Sequence, residues 1–253
     1  MTEPGEQLVI SRQGFPESAA RGTAVARATL MRVAAGDVPA TFRLHRPPPI
    51  LAFSKQDAAS PGFRGAVQAA RNAGFDPVIR LAGGRAAVYH EGTLALSWAV
   101  PDRRPSARTE ERFRELASLL ADSIRGLGVD ARIGEVPGEY CPGAWSVNAR
   151  GATKLVGTGQ RLIAGAAHRG AVIVVSDSAG VRDALIPVYE ALGLDWDPAT
   201  AGSVEDEVTG ITVQGVEDSI FARLGELYEL REMPVAPETL ALADRLESDH
   251  SVE

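Results

Sequence analysis

Lysine and cysteine are almost missing from this chain. Of its 26 lysines and arginines only Lys55 and Lys154 are lysines, and Cys141 is the single cysteine among 253 residues. One cysteine makes no internal disulfide and no Cys-x-x-Cys zinc or redox pair, so the chain needs no oxidising compartment. No apolar run approaches the roughly 18 residues of a membrane span, and the first residues, Met1-Thr-Glu-Pro-Gly-Glu6, lack the basic and apolar regions of a signal peptide. The expected location is therefore the cytoplasm. A net charge of −7 disfavours nonspecific nucleic-acid binding, which requires a basic surface. His45, His90, His168 and His250 have no metal-ligand spacing among themselves or with Cys141, and no metal is expected. Neither G-x-S-x-G, G-x-G-x-x-G nor a Walker loop occurs.

What remains is an ordinary globular composition, 45% hydrophobic and 23% charged, able to build a core. After a mobile lead-in over residues 1–13 that ends in a strand at Gln7–Ile10, an alanine-rich helix is predicted over residues 16–35. Strands follow at 41–44 and 50–54, a helix at 65–73, and strands at 78–81, 86–90 and 94–100. Thr109 opens an amphipathic helix to about Leu127, with Phe113, Leu116, Leu120 and Ile124 on one face. Trp145–Asn148 and Lys154–Gln160 read as hairpin partners across the turn residues Asn148–Gly151. A buried strand at 171–175 and helices at 181–192 and 219–231 complete the chain, with a strand at 211–214 and a frayed acidic tail from Glu247. Hairpins outnumber crossovers, so the expected fold is α/β (α+β): a mixed, largely antiparallel sheet flanked by helices.

Three sequence blocks carry candidate chemistry. Arg80-Leu-Ala-Gly83-Gly84 places two glycines between strands, where backbone N–H groups approach a carbonyl or phosphate oxygen beside a cation; a plain tight turn reads the same way. Cys141-Pro-Gly places a thiol in a constrained loop. It is either a buried small side chain or a nucleophile activated by nearby donors. Lys154-Leu-Val-Gly157-Thr-Gly159-Gln160-Arg161 supplies the scarce lysine on the hairpin strand that folds back toward it. His90, at a strand end, and His168, in a glycine-flanked loop, are candidate proton carriers or simply satisfied polar residues.

Taken together, Arg80-x-x-Gly83-Gly84, the stretch Glu91–Trp98, Cys141-Pro-Gly and Lys154-x-x-Gly157-x-x-Gln160-Arg161 resemble the biotin/lipoate protein ligase and octanoyltransferase family. The resemblance covers residues 15–230, leaving 1–14 and 231–253 as terminal extensions. It implies a catalytic domain related to the class II aminoacyl-tRNA synthetase core. The cysteine just before the lysine block is most similar to the octanoyl-[GcvH]:protein N-octanoyltransferase (lipoyl amidotransferase) branch. By that resemblance Cys141 carries an acyl thioester, and Lys154 orients the acyl carbonyl and favours the thiolate. Arg80, Gly83, Gly84 and His90, with Gly157, Gly159, Gln160, Arg161 and His168, bind the acyl substrate. Lys154→Ala is expected to stop transfer and leave the fold intact. Arg85 stands where that branch commonly has an apolar residue, and Leu162 where it often has a second arginine.

The implied activity is transfer of an octanoyl or lipoyl group to a lysine of a lipoyl carrier domain, with no cofactor. The implied partners are the glycine-cleavage H protein, lipoyl domains of 2-oxoacid dehydrogenases, or acyl carrier protein. The chain would be a monomer and bind neither nucleic acid nor membrane. Arg43, Arg46, Arg103, Arg104 and Arg108 would face the carrier. The alternatives are an ATP- and Mg-dependent lipoate–protein ligase acting through an acyl-adenylate, and a non-catalytic carrier-binding homologue. That only short elements follow residue 176 leans toward the transferase.

Overall fold

The computed structural model describes residues 6–252. In chain order the elements are β1 (Gln7–Ser11), α1 (Arg21–Ala35), β2 (Thr41–His45), β3 (Ile50–Phe53), α2 (Lys55–Ala58), α3 (Phe63–Asn72), β4 (Asp76–Ile79), β5 (Ala87–Tyr89) and β6 (Thr93–Pro101). Then come α4 (Thr109–Arg125), β7 (Ala131–Ile133), β8 (Val147–Ala149), β9 (Thr153–Ile163), β10 (Ala166–Val174), α5 (Ser178–Leu192), α6 (Val204–Glu207), α7 (Val213–Gly225), β11 (Glu229–Glu232) and α8 (Pro237–Leu246).

Eight strands form one sheet in the order β11-β1-β2-β6-β10-β9-β8-β7, and β4-β3-β5 form a second. In the large sheet every pairing from β2 to β7 is antiparallel, while β1 lies parallel to both of its neighbours. The expected mixed, largely antiparallel sheet is the one observed. Two-residue periodicity then divides its central strands. Phe42, Leu44, Leu94, Leu96 and Trp98 face the main core, which α4 and α7 close with Leu116, Leu120, Ile220 and Phe221. The intervening positions face the small sheet and the start of α1, and these form the site. A further core under the small sheet packs Leu51, Phe53 and Val88 against α3 and α5.

The β8–β9 hairpin forms as expected. Arg150 and Gly151 take φ of 56° and 76°, and Asn148 Oδ1 accepts the Gly151 N–H at 2.8 Å. Three expectations change. No strand forms over 211–214, because the Thr212 hydroxyl accepts the Gly215 N–H at 3.0 Å and caps α7 there. The last stretch of the helix expected over 219–231 is instead β11, which extends the sheet beside β1. The tail is not frayed: α8 packs Ala243 against Val25 and Ala28 of α1. The Ile79 N–H then donates to the His250 carbonyl at 2.9 Å, and His250 Nδ1 lies 2.7 Å from the Ile79 carbonyl. Of the expected mobile lead-in, residues 1–5 lie outside the described residues, and 7–11 are β1.

Candidate acyl-transfer site

Cys141 sits in the loop between β7 and β8, half-buried, with a backbone φ of 45°. That left-handed conformation is sparsely populated for a side-chain-bearing residue and costs about 1–3 kcal/mol. Its surroundings impose it. Glu139, buried, accepts at Oε1 from Gly143 N–H (3.0 Å), Ser146 Oγ (2.6 Å) and Lys154 Nζ (3.1 Å), and at Oε2 from Val136 N–H (3.2 Å). Lys154, 1% exposed, reaches in from β9 and also donates to the carbonyls of Tyr140 (2.9 Å) and Cys141 (2.7 Å). The ammonium has three N–H groups and uses each of them on this loop. It grips the Cys141 backbone and makes no hydrogen bond to the sulfur.

The sulfur meets donors from the opposite side. The Arg85 backbone N–H donates to Sγ at 3.0 Å and Arg80 Nη2 at 3.7 Å. Gly84 makes this approach possible. Its φ is 97°, and a Cβ there would stand 2.8 Å from Cys141 Sγ. Gly83 carries no such constraint, with open space where its Cβ would be. The Arg85 side chain is pinned by Asp57, whose Oδ1 lies 3.3 Å from Nη1. Asp57 is fully buried and held by a reciprocal capping box with Ser54 at the start of α2. Both sulfur donors are placed to meet negative charge on Sγ.

Below the thiol a cavity of about 100 Å³ opens, where roughly 10–15 Å³ holds one water. Arg80, Cys141, Lys154, Gly157 and Gly159 line one end, with Ala52, Ala87, Tyr89, Ala95 and Val172 along the walls. The cavity runs across the sheet, because paired residues on adjacent strands share a face. Gly159 opposes Gly170, Gly170 opposes Ser97, and Ser97 opposes Arg43. The glycines leave the floor open where side chains would fill it.

The structure therefore gathers Cys141, Lys154, Arg80, Gly157, Gly159 and His168 around one space, with Gly83 and Gly84 in the adjoining turn and Gly84 against the Cys141 sulfur. Three expected substrate contacts fall elsewhere. Gln160 points to the opposite face of β9, as alternation requires, and binds Arg112 Nε (2.9 Å) and the Thr109 carbonyl (2.9 Å). Arg161 returns to the cavity face but lies one step further along, in a separate groove with Arg27, Lys55 and Arg80. His90 follows Tyr89, a cavity residue, so its side chain turns away and accepts the Gly92 N–H at 3.0 Å. Burial lowers its pKa below the ordinary imidazole value. Glu139 and Asp57, which fix the loop and Arg85, were not singled out in the sequence. Ser54-x-x-Asp57 carries the sequence signature of a cap, whereas nothing around Glu139 announces a buried partner for Lys154.

A model of the lipoyl protein ligase A/B catalytic domain matches residues 18–225. The chain belongs to this family. The octanoyl-[GcvH]:protein N-octanoyltransferase of Geobacillus kaustophilus is 27% identical over 171 residues, 68% of this chain and 56% of that protein. The enzyme of that name from an Exiguobacterium species is 28% identical over 205 residues, 76% of this chain and 72% of that protein. The lipoyl-[GcvH]:protein N-lipoyltransferase of Listeria monocytogenes is 28% identical over 109 residues, 43% of this chain and 39% of that protein. Among solved structures, protein Ta0514 of T. acidophilum with bound lipoic acid superposes with a TM-score of 0.74 at 19% identity, covering 98% of this chain and 96% of that one. A lipoate-protein ligase A bound with ATP gives 0.74 at 18% identity, covering 97% and 95%. At such identities the structural matches establish the fold this family member shares with lipoate ligases.

Proposed function

We propose that this protein transfers an octanoyl or lipoyl group to a lysine of a lipoyl carrier protein through a thioester on Cys141. The observation that carries this reading is the thiol itself. It is held in a strained backbone at the mouth of an apolar cavity, with Arg85 N–H and the Arg80 guanidinium on the sulfur. Relatives named for acyl transfer to or from GcvH support the carrier class. So does the groove beside the mouth, where Lys55, Arg80 and Arg161 gather with Arg27, which pairs with Asp249, and where an acidic carrier surface can dock. Among the described residues no helix is long and apolar enough to cross a membrane.

In the first step Cys141 sulfur attacks the acyl carbonyl carbon of the donor, an amide on a lysine of a glycine-cleavage H protein or a thioester on an acyl carrier protein. A carbon–sulfur bond forms to Cys141, the donor's carbon–nitrogen or carbon–sulfur bond breaks, and the leaving lysine nitrogen or sulfur takes the proton from the thiol. In the second step the neutral amine of the acceptor lysine attacks, an amide forms, and the Cys141 sulfur leaves and recovers a proton from that amine. No ATP enters. Lys154 and Glu139 hold the loop in register, and Arg80 meets the charge that develops as carbonyl and sulfur exchange bonds. Each buried CH₂ of the chain contributes roughly 0.8 kcal/mol to binding.

The test is intact-mass analysis and peptide mapping after incubation with an octanoyl thioester, with and without ATP. An octanoyl adduct on Cys141 that Cys141→Ser lacks is the expected result. ATP-dependent octanoylation of a carrier by Cys141→Ser would replace this reading with an adenylate-forming ligase that uses ATP and Mg. No acyl chemistry with any donor would leave a carrier-binding protein.

A further inference from the structure

The row of sheet residues under the acyl cavity continues past the cavity's end. Gly159, Gly170, Ser97 and Arg43 oppose one another on β9, β10, β6 and β2, and Arg43 in turn opposes Ser11 on β1. Of these five only Arg43 has a large side chain. The acyl cavity ends at Ser97 and Arg43. On the far side the same two residues border a second cavity, of about 270 Å³, walled by Val9, Ser11 and Thr41 and by residues 233–236. Helix α1 roofs both spaces, with Thr23 and Ala26 over the first and Thr29 over the second.

Arg43 stands between floor and roof as a post. Expected on the carrier-docking surface, it is 4% exposed and lies inside the molecule. Its Nη2 donates to the carbonyl of Gly22, at the start of α1, at 2.6 Å, and its Nη1 to that of Gln13 at 3.2 Å. Cζ lies 5.5 Å from the centroid of the Phe15 ring. Among the described residues no carboxylate lies within ion-pair distance of it. Burial lowers its pKa to about 10, so it stays charged at neutral pH. A buried guanidinium without a countercharge is costly, and here two neutral carbonyls hold it at the wall between two cavities.

Distance across the sheet turns this post into a stop. Strands stand about 4.8 Å apart, so β6 lies roughly 10 Å from β9 and β2 roughly 14 Å. With carbon–carbon bonds of about 1.5 Å, an extended eight-carbon acyl chain spans roughly 9 Å from its carbonyl. Octanoyl and lipoyl groups have the same eight carbons in line. Held by Cys141 above β9, either one ends over Ser97, short of Arg43. A twelve-carbon chain spans roughly 14 Å and reaches the guanidinium itself. To pass, it must push the side chain off both carbonyls and leave them unpaired, or press methylenes against a fixed charge.

We propose that Arg43 sets the acyl-length limit of this protein, stopping the chain near eight carbons and closing the second cavity to longer ones. This rests on the thioester reading of Cys141 and adds a length limit to the octanoyl or lipoyl group of that reading. Without the post the two cavities form one channel along the row from Gly159 to Ser11, and each further methylene gains burial instead of meeting a wall.

The test offers octanoyl and dodecanoyl N-acetylcysteamine thioesters in separate reactions, both below the micelle concentration of the longer, and follows mass gain on Cys141 over time. The full-length protein is expected to load the dodecanoyl group more slowly by roughly tenfold or more, the scale of overfilling a packed interior. Arg43→Ala joins the cavities, and its dodecanoyl-to-octanoyl ratio is expected to rise by about the same factor. Adding Thr29→Phe fills the second cavity from its roof and should return the ratio toward the wild-type value, which a merely loosened fold would not do. Should Arg43→Ala fold poorly, Arg43→Met keeps most of the packing volume without the two hydrogen bonds that fix it, and is expected to raise the ratio too. Equal loading of the two chains by the wild type overturns the Arg43 limit and leaves the thioester mechanism standing. So does a ratio that the folded Arg43 variants leave unchanged, or one that Thr29→Phe does not lower. No mass gain from either thioester overturns the mechanism and this inference with it.

Discussion

Among the described residues, Lys154 and Glu139 are each other's only countercharge in the interior, at 3.1 Å with side chains 1% and 0% exposed. Taking away the ammonium leaves the carboxylate buried and short of a donor, a loss of roughly 3–5 kcal/mol. Lys154→Met is therefore expected to lower the urea midpoint substantially, against the expectation from sequence that the fold would be untouched. Adding Glu139→Gln removes the stranded charge, so the double variant recovers stability while its Cys141 still fails to load acyl groups. If the single and double variants unfold together, the pair is not what holds the loop. The two glycines of the 80–84 block separate in the same way. Gly84→Ala forces a side chain into a φ of 97° and within 2.8 Å of the sulfur; it is expected to cost about 1 kcal/mol or more and to slow acyl loading sharply. Gly83→Ala meets nothing within 4 Å and should load near the wild-type rate. Equal loading by the two variants would mean that the Gly84 approach does not place the Arg85 N–H. The lone thiol, the lone buried lysine and the glycine pair were legible in the sequence because each is scarce or spaced by a turn. Glu139 and Asp57 were not, since their charged partners Lys154 and Arg85 lie 15 and 28 positions away.

At the scale of elements, strand alternation decided most of the site and also most of the errors. The sequence pattern located β2, β6 and β9 to within a few residues, whereas β10 begins five residues before the strand expected over 171–175 and takes in His168, expected in a loop; their registry brings positions 43, 97, 170 and 159 into one row. Gln160 and His90 were assigned to the site by their block rather than by their face, and period two turns them away. The tail was misread for a different reason. Its acidic residues pair with arginines more than 200 positions away: Arg21 with Asp244 and Glu247, and Arg27 with Asp249. Such pairing leaves no local pattern. It has a mechanical consequence, because α8 packs on α1, whose first turns line the acyl cavity through Gly22, Thr23 and Ala26. Deleting residues 237–253 is expected to lower the melting temperature and to weaken acyl-donor saturation several-fold, with Cys141 still modified at high donor concentration. Loss of stability with unchanged donor saturation would mean that α1 holds its place without α8.

For the molecule as a whole, the histidines set a common acid limit. The chain has four, and burial is the first cause of a lowered pKa at each: His45, His90, His168 and His250. In the unfolded chain the same groups take up a proton near pH 6.5. Between that pH and the folded values, reaching about 4 for His168, the unfolded state binds more protons than the folded one. Stability then rises with pH across that window. It is fully present above about pH 6.5 and is lost as pH falls toward 4. Exposed acidic groups such as Glu111 and Asp130, held down by Arg108 and Arg132, act in the same direction only below the ordinary carboxylate range. The interval from pH 6.5 to 5 thus reports the imidazoles. Urea midpoints measured across it should fall steadily, and His168→Gln should fall less steeply than wild type, because one of the four proton acceptors is gone. A flat midpoint from pH 7.5 to 5 would mean that these histidines can charge inside the folded protein.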